Sequence, residues 1–215
     1  MIDLHTHTFF SDGELSPSEL VYRAKLKGYE AIALTDHMDQ SNMDFIIPRI
    51  QKVCEGLSRE YGIKVFAGIE LTYVPPKLIA EVLREARKLG AKIIVVHGET
   101  PSEQLPGGTN HAAILAGTDI LAHPGHITER DVLLAKEKNV LLEITSRKNH
   151  SSTNAHVARL AKKTGAGMVL DTDSHRPDDL ITDEQALKII EAAGLEKNDL
   201  AKMFANSRKL IKRST

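Results

Sequence analysis

Seven short apolar runs, each bounded by turn-forming or polar residues, constrain this chain more than any other feature. They occupy residues 2–4, 31–34, 65–69, 93–96, 120–122, 140–144 and 168–170. The segments between them carry apolar residues at helical spacing, and that alternation is the mark of a parallel sheet wrapped by helices. The chain is therefore expected to be α/β. No Pro/Gly/Ser-rich or charged linker divides it, so residues 1–215 are expected to form one domain around one core.

The intervening segments have readable ends. Ser16-Pro17-Ser18-Glu19 combines a capping box with proline at the first helical position, and Gly28 closes that helix. Leu78, Ile79, Val82, Leu83, Ala86 and Leu89 form a stripe ended by Gly90. Thr182 and Gln185 open a helix that Gly194 ends, Thr128 and Thr153 are further expected caps, and residues 197–212 read as a last helix. Residues 98–108, with two prolines and paired glycines, read as a loop over one face.

Composition removes several function classes. Trp is absent and aromatics make up 4%, which leaves a core of Leu, Ile, Val and Ala. The net charge is −1, and the basic residues are dispersed apart from Arg208, Lys209, Lys212 and Arg213, expected to be a solvated helix face; a large nucleic-acid footprint is not expected. Cys54, the single cysteine, sits on a helical stripe and is expected to be a small buried hydrophobe. The amino terminus lacks signal-peptide character and no apolar run reaches membrane-spanning length, so a cytoplasmic protein without membrane contact is expected.

The chemistry lies where the runs end. His5 and His7 follow the first, His37 the second, Glu70 the third, His97 the fourth, His123 the fifth, and Asp173 and His175 the seventh. In a parallel barrel all these ends open on one face. His5-x-His7 and Asp173-x-His175 have the period that puts two side chains on one side of a strand. A lone histidine is most often a surface or hydrogen-bonded core residue, but six of the ten histidines falling at predicted strand ends reverses that expectation. Imidazole and carboxylate donors without cysteine suit zinc, manganese or iron. His111, His126, His150 and His156 are expected at the surface or the substrate rim. Asp36 and Asp171 are expected to orient ligand imidazoles.

Together with Ser11-Asp12-Gly13, Thr35-Asp36-His37, Gly68-Ile69-Glu70, Val96-His97-Gly98, Ala122-His123-Pro124 and Thr172-Asp173-Ser174-His175, these motifs resemble, over essentially the whole chain, the polymerase and histidinol phosphatase (PHP) family. The stretch from Leu142 to His150, followed by Asn154, is most similar to its small stand-alone phosphoesterase branch. The resemblance implies a distorted (β/α)7, TIM-like barrel with two to three divalent ions. One ion would take His5, His7, Glu70 and Asp173; a second would share Glu70 and use His97 and His123; a third would use Asp12, His37 and His175.

Such ions lower the pKa of a bridging water, making a metal-bound hydroxide the expected nucleophile, with Glu70 and Asp173 as catalytic ligands. Three divalent ions against Asp12, Glu70 and Asp173 leave about +3 locally, a charge that favours a phosphate dianion. The sixth run is expected to supply no ligand and to lead into Arg147, which would grip phosphate; Arg176 is the second candidate. Ser146 is not expected to be a nucleophile. The expected activity is hydrolysis of a small phosphomonoester, histidinol-phosphate-like or a nucleotide. The alternatives are a nuclease or phosphodiesterase on nucleic-acid ends, a protein-tyrosine phosphatase, and a metal-binding domain without turnover.

Overall fold

A computed structural model describes residues 1–213. Its strands are β1 (Ile2–Asp3), β2 (Ala31–Leu34), β3 (His37–Met38), β4 (Lys64–Leu71), β5 (Ile93–His97), β6 (Ile120–Ala122), β7 (Leu141–Thr145) and β8 (Met168–Asp171). The helices are α1 (Pro17–Leu26), α2 (Met43–Tyr61), α3 (Ile79–Lys88), α4 (Thr109–Ala116), α5 (Glu129–Lys138), α6 (Asn154–Thr164), α7 (Asp183–Ala192) and α8 (Lys197–Arg213). Strands pair in parallel in the order β1-β2-β4-β5-β6-β7-β8, which are the seven expected runs. The two-residue β3 lies off this path and pairs with β4, setting His37 beside Glu70.

The ring closes where its ends meet. Thr6 and Ser174 form a parallel bridge. His7 N donates to Ser174 O at 2.8 Å and Asp173 N to His5 O at 2.9 Å. Below this seam the Asp3 carboxylate accepts from Thr172 Oγ1 at 2.6 Å, and Asp171 Oδ1 accepts from Leu4 N at 2.7 Å. The result is a TIM-like α/β barrel.

Side chains of one parity fill the barrel. Ile2, Leu4, Ala31, Ala33, Phe66, Ile93, Val95, Ile120, Ala122 and Val169 form one cluster, joined by Leu210 and Ile211 of α8. The other parity, including Ile32, Leu34, Ile69, Ile94 and Leu142, packs against the helices. Following the inward parity upward turns apolar residues into ionisable ones: Phe66, Gly68, Glu70; Ile93, Val95, His97; Leu141, Glu143. One end of the barrel is thus an apolar plug and the other is the site. Gly68 is required where β4 passes its neighbours, since a Cβ there would lie 2.8 Å from Ile93 O and 2.6 Å from Thr35 Cγ2.

Ser16, Thr128 and Thr182 cap their helices, and Thr182 and Gln185 form the full reciprocal box. Two expectations are corrected. Glu19 turns to Arg23 instead of closing the first box. Thr153 makes no side-chain cap, because a 3₁₀ turn at Ser151–Thr153 runs straight into α6. There Asn154 holds both the N–H and the carbonyl of Thr145, at 3.2 and 2.8 Å. Cys54 is buried, and burial pushes its thiol up to about 12. Arg208, Lys209, Lys212 and Arg213 are exposed, and Arg208 pairs with Glu30 at 2.6 Å. No described helix is long and apolar enough to cross a membrane.

Candidate metal centre

All nine expected ligands converge at the carboxyl ends of the strands, and Glu70 is their hub. Its Oε1 lies 3.3 Å from His5 Nε2, 3.2 Å from His97 Nδ1 and 3.6 Å from His123 Nε2. Its Oε2 lies 3.5 Å from His7 Nε2 and 2.7 Å from His37 Nδ1. Across the site Asp173 Oδ1 is 3.2 Å from His7 Nε2, and Asp12 Oδ1 is 3.1 Å from His175 Nε2 and 3.5 Å from His37 Nε2. Among the described residues the nine fall into three donor groups, His5, His7 and Asp173; Glu70, His97 and His123; and His7, Asp12, His37 and His175; two further groups bring in Glu143 (with His5 and His123) and His150 (with His123 and Asp173).

The backbone is strained to achieve this. His123 and Asp173 are both held at positive φ, 26° and 51°, a region uncommon for residues other than glycine. Backbone bonds hold them there: His123 N donates to Glu143 Oε2 at 2.9 Å, and Asp173 N to His5 O. The donors also ask for cations. His5 Nε2 and both ring nitrogens of His7 and of His123 are buried without a hydrogen-bond partner. Leaving that many buried polar atoms unmet is costly, and divalent ions coordinated by nitrogen and carboxylate oxygen would satisfy them together. The donor set fits such ions.

Comparison with known proteins agrees with this geometry. The PHP domain profile matches residues 3–191. The chain belongs to the PHP family. This PHP protein is 44% identical over 214 residues to an uncharacterised protein of Methanocaldococcus jannaschii, covering 98% of both chains. It is 26% identical to a probable phosphatase of Thermoanaerobacter sp. strain X514, covering 92% of this chain and 88% of that one. A chain from the structure of archaeal ribonuclease P with mature tRNA superposes with a TM-score of 0.75 at 18% identity, over 100% of this chain and 91% of its own. At that identity the likeness is one of fold. Family and donor set make this PHP protein a metal-dependent phosphoesterase.

Charge is unevenly distributed among the donors. Burial disfavours a cationic His5, yet Glu70, Glu143 and Asp173 raise its pKa well above the usual value. Glu70 and Glu103 likewise overcome burial at His97 and raise it to about 10. His7 and His123 go the other way, lowered well below the usual value by burial and by neighbouring imidazoles. Glu70 stays ionised because His5, His37 and His97 outweigh its desolvation.

Several residues of this PHP protein depart from the expected pattern. The sixth run does contribute: Glu143 on β7 has Oε1 2.7 Å from His5 Nδ1 and groups with His5 and His123 as a donor set. It takes the orienting role expected of Asp36 and Asp171. Asp36 instead accepts from Thr8 N (2.7 Å) and Ser11 Oγ (2.9 Å), fixing the loop that carries Asp12. Asp171 pins the seam, and burial with Asp3 and Glu143 nearby raises its pKa well above the usual value. A lone acid between Leu142 and Ile144, in phase with Leu141, was the available signal for Glu143.

His150, expected at the surface or the substrate rim, lines the cavity and is buried, 4% accessible, with its ring stacked on His123 at 4.3 Å. Glu103, in the loop at residues 98–108, reaches His97 Nε2 at 3.1 Å, a contact that no local spacing announces. His111 and His156 lie apart, bonded to Asp131 and to Ile127 O, and His126 stands against His156. Arg147 lines the cavity, with Nε 3.4 Å from Asp173 Oδ2 and Nη1 2.9 Å from His175 Nδ1. Arg176 turns outward to Glu14 at 3.0 Å, because the turn at Pro177–Asp179 directs it away from the mouth.

Proposed function

We propose that this protein hydrolyses a small phosphorylated metabolite, a phosphomonoester such as a nucleotide or a histidinol-phosphate-like compound. The observation that carries the reading is a cavity of about 480 Å³ whose floor includes His37, His97, Asp173 and His175 and whose wall carries Arg147. A cavity of that size suits a metabolite rather than a macromolecular surface.

His5, His7, Asp173, Glu70, His97, His123, Asp12, His37 and His175 would hold divalent ions, which when bound would supply Lewis acidity toward water and phosphoryl oxygens. The protein's own residues set the geometry. Glu70 faces all three groups and fixes their spacing. Glu143 holds His5 at Nδ1, leaving Nε2 directed at Glu70 and Asp173. His175 Nδ1 has two neighbours at 2.9 Å, Asp173 O and Arg147 Nη1, and a protonated Nδ1 can donate only to the carbonyl. Arg147 Nη1 instead donates to Asp173 O at 3.1 Å, which fixes the guanidinium at the mouth and leaves its remaining N–H groups to meet the non-bridging oxygens of a phosphate. Arg176, paired with Glu14 outside the cavity, takes no part.

The test is a phosphatase screen over a metabolite panel, with enzyme reconstituted separately with manganese, zinc and iron. Turnover of one or a few phosphomonoesters, lost to a chelator, is expected. Inactivity on the whole panel at full metal occupancy would overturn the reading.

A further inference from the structure

His150 lines the cavity beside Arg147 and, with His123 and Asp173, is also close enough to form a set of metal-competent donors; its hydrogen bonds decide between that role and another. Its ring is buried, stacked on His123 at 24° between planes. Nδ1 is taken by two hydroxyls of the loop over the mouth, Ser102 Oγ at 2.7 Å and Thr100 Oγ1 at 3.0 Å, themselves 3.0 Å apart. Nε2 faces two carboxylate oxygens, Glu103 Oε1 at 3.5 Å and Asp173 Oδ2 at 3.8 Å. Carboxylates only accept, whereas hydroxyls donate or accept. The tautomer that avoids lone pair against lone pair puts the proton on Nε2 and lets a hydroxyl donate to Nδ1. Arg147 Nε approaches the same Asp173 oxygen from its own side, at 3.4 Å. Two donors from one β7–α6 connection therefore converge on one oxygen position at the mouth.

We propose that His150 is a second phosphate-binding residue, which donates from Nε2–H to a phosphoryl oxygen opposite Arg147 and is aimed by Ser102 and Thr100. The inference rests on the phosphoesterase reading of the cavity. It differs from a ligand role, for which Nε2 would have to present a lone pair. The loop at residues 98–108 then belongs to the substrate site: its hydroxyls set the ring, and Glu103 stands where the arriving phosphate must displace it.

The test uses inorganic phosphate as probe and the metal-loaded full-length protein. Its dissociation constant is measured by calorimetry, and metal equivalents by elemental analysis, for the parent, His150→Gln and Ser102→Ala. His150→Gln is expected to weaken phosphate binding at least tenfold with metal content unchanged. Ser102→Ala, at an exposed position that does not threaten folding, is expected to weaken it by a smaller factor and to raise KM more than kcat falls. Loss of a metal equivalent in His150→Gln would make the residue a ligand and overturn the proposal; so would unchanged phosphate affinity in both variants. Because phosphate binding is read directly, the expected weakening would stand even if no phosphomonoester on the panel were turned over, which separates this inference from the activity reading.

Discussion

Glu70 concentrates the risk of the whole site in one side chain. Its two oxygens face five imidazoles, so replacing one oxygen by an amide both removes negative charge and places a donor among buried nitrogens. Glu70→Gln is expected to lower kcat by at least about a hundredfold and to lose metal equivalents, checked by steady-state kinetics with elemental analysis. The same carboxylate governs the pH response. His5, His37 and His97 have raised pKa values in the metal-free protein, so ions must expel protons to bind. Calorimetry in buffers of different ionisation enthalpy is expected to show proton release, with affinity rising from about pH 6.5 toward 10. The stability sign is opposite. A raised histidine pKa contributes stability that is fully present below about pH 6.5 and is lost as pH rises through about 10, so the His97 contribution makes the metal-free protein melt lower at pH 10 than at pH 7. Arg147→Ala is expected to reduce kcat/KM by roughly 2 to 4 kcal/mol, with lysine rescuing only part because it restores charge without the fork.

At the level of elements, six of the seven expected strands were readable twice over, by an apolar run and by the donor that follows it, and the sixth by its apolar run alone. Inward parity, continued for two residues past Val95 or Gly68, lands on His97 or Glu70, so local periodicity carries the site's floor. Glu143 follows the same rule and was obscured only by lying inside its strand. What lay beyond reading is set by contacts between distant segments: Glu103 and Ser102 reach His97 and His150 from a loop with no period of its own. The short strand β3 is likewise fixed by its register with β4 rather than by its own sequence. Helix α8 shows the converse, since its apolar stripe was visible but its destination was not. Leu210 and Ile211 enter the barrel interior. Ile211→Ala, a buried truncation, is expected to cost about 2 to 5 kcal/mol in chemical denaturation while leaving metal stoichiometry intact, because the plug and the ion site occupy opposite ends.

For the molecule as a whole, the ions and the fold share one account. Ligand that binds only the folded state at a hundred times its dissociation constant adds about 2.7 kcal/mol. Chelator is therefore expected to lower the melting temperature, and metal resupply to restore it, in scanning calorimetry; an unchanged melting curve would separate the donors from the barrel's stability. The seam gives this a direction in time. The first strand has no partner on one side until the last arrives, and His5 and His7 meet Asp173 and Ser174 only then. During synthesis the early histidines leave the ribosome long before residues 168–175, so a chain arrested ahead of them holds part of a ligand set with nothing to clasp it shut. A chain ending before residue 168 lacks the Asp173 and His175 donors and is therefore expected to retain fewer metal equivalents after dialysis against chelator than the 215-residue chain.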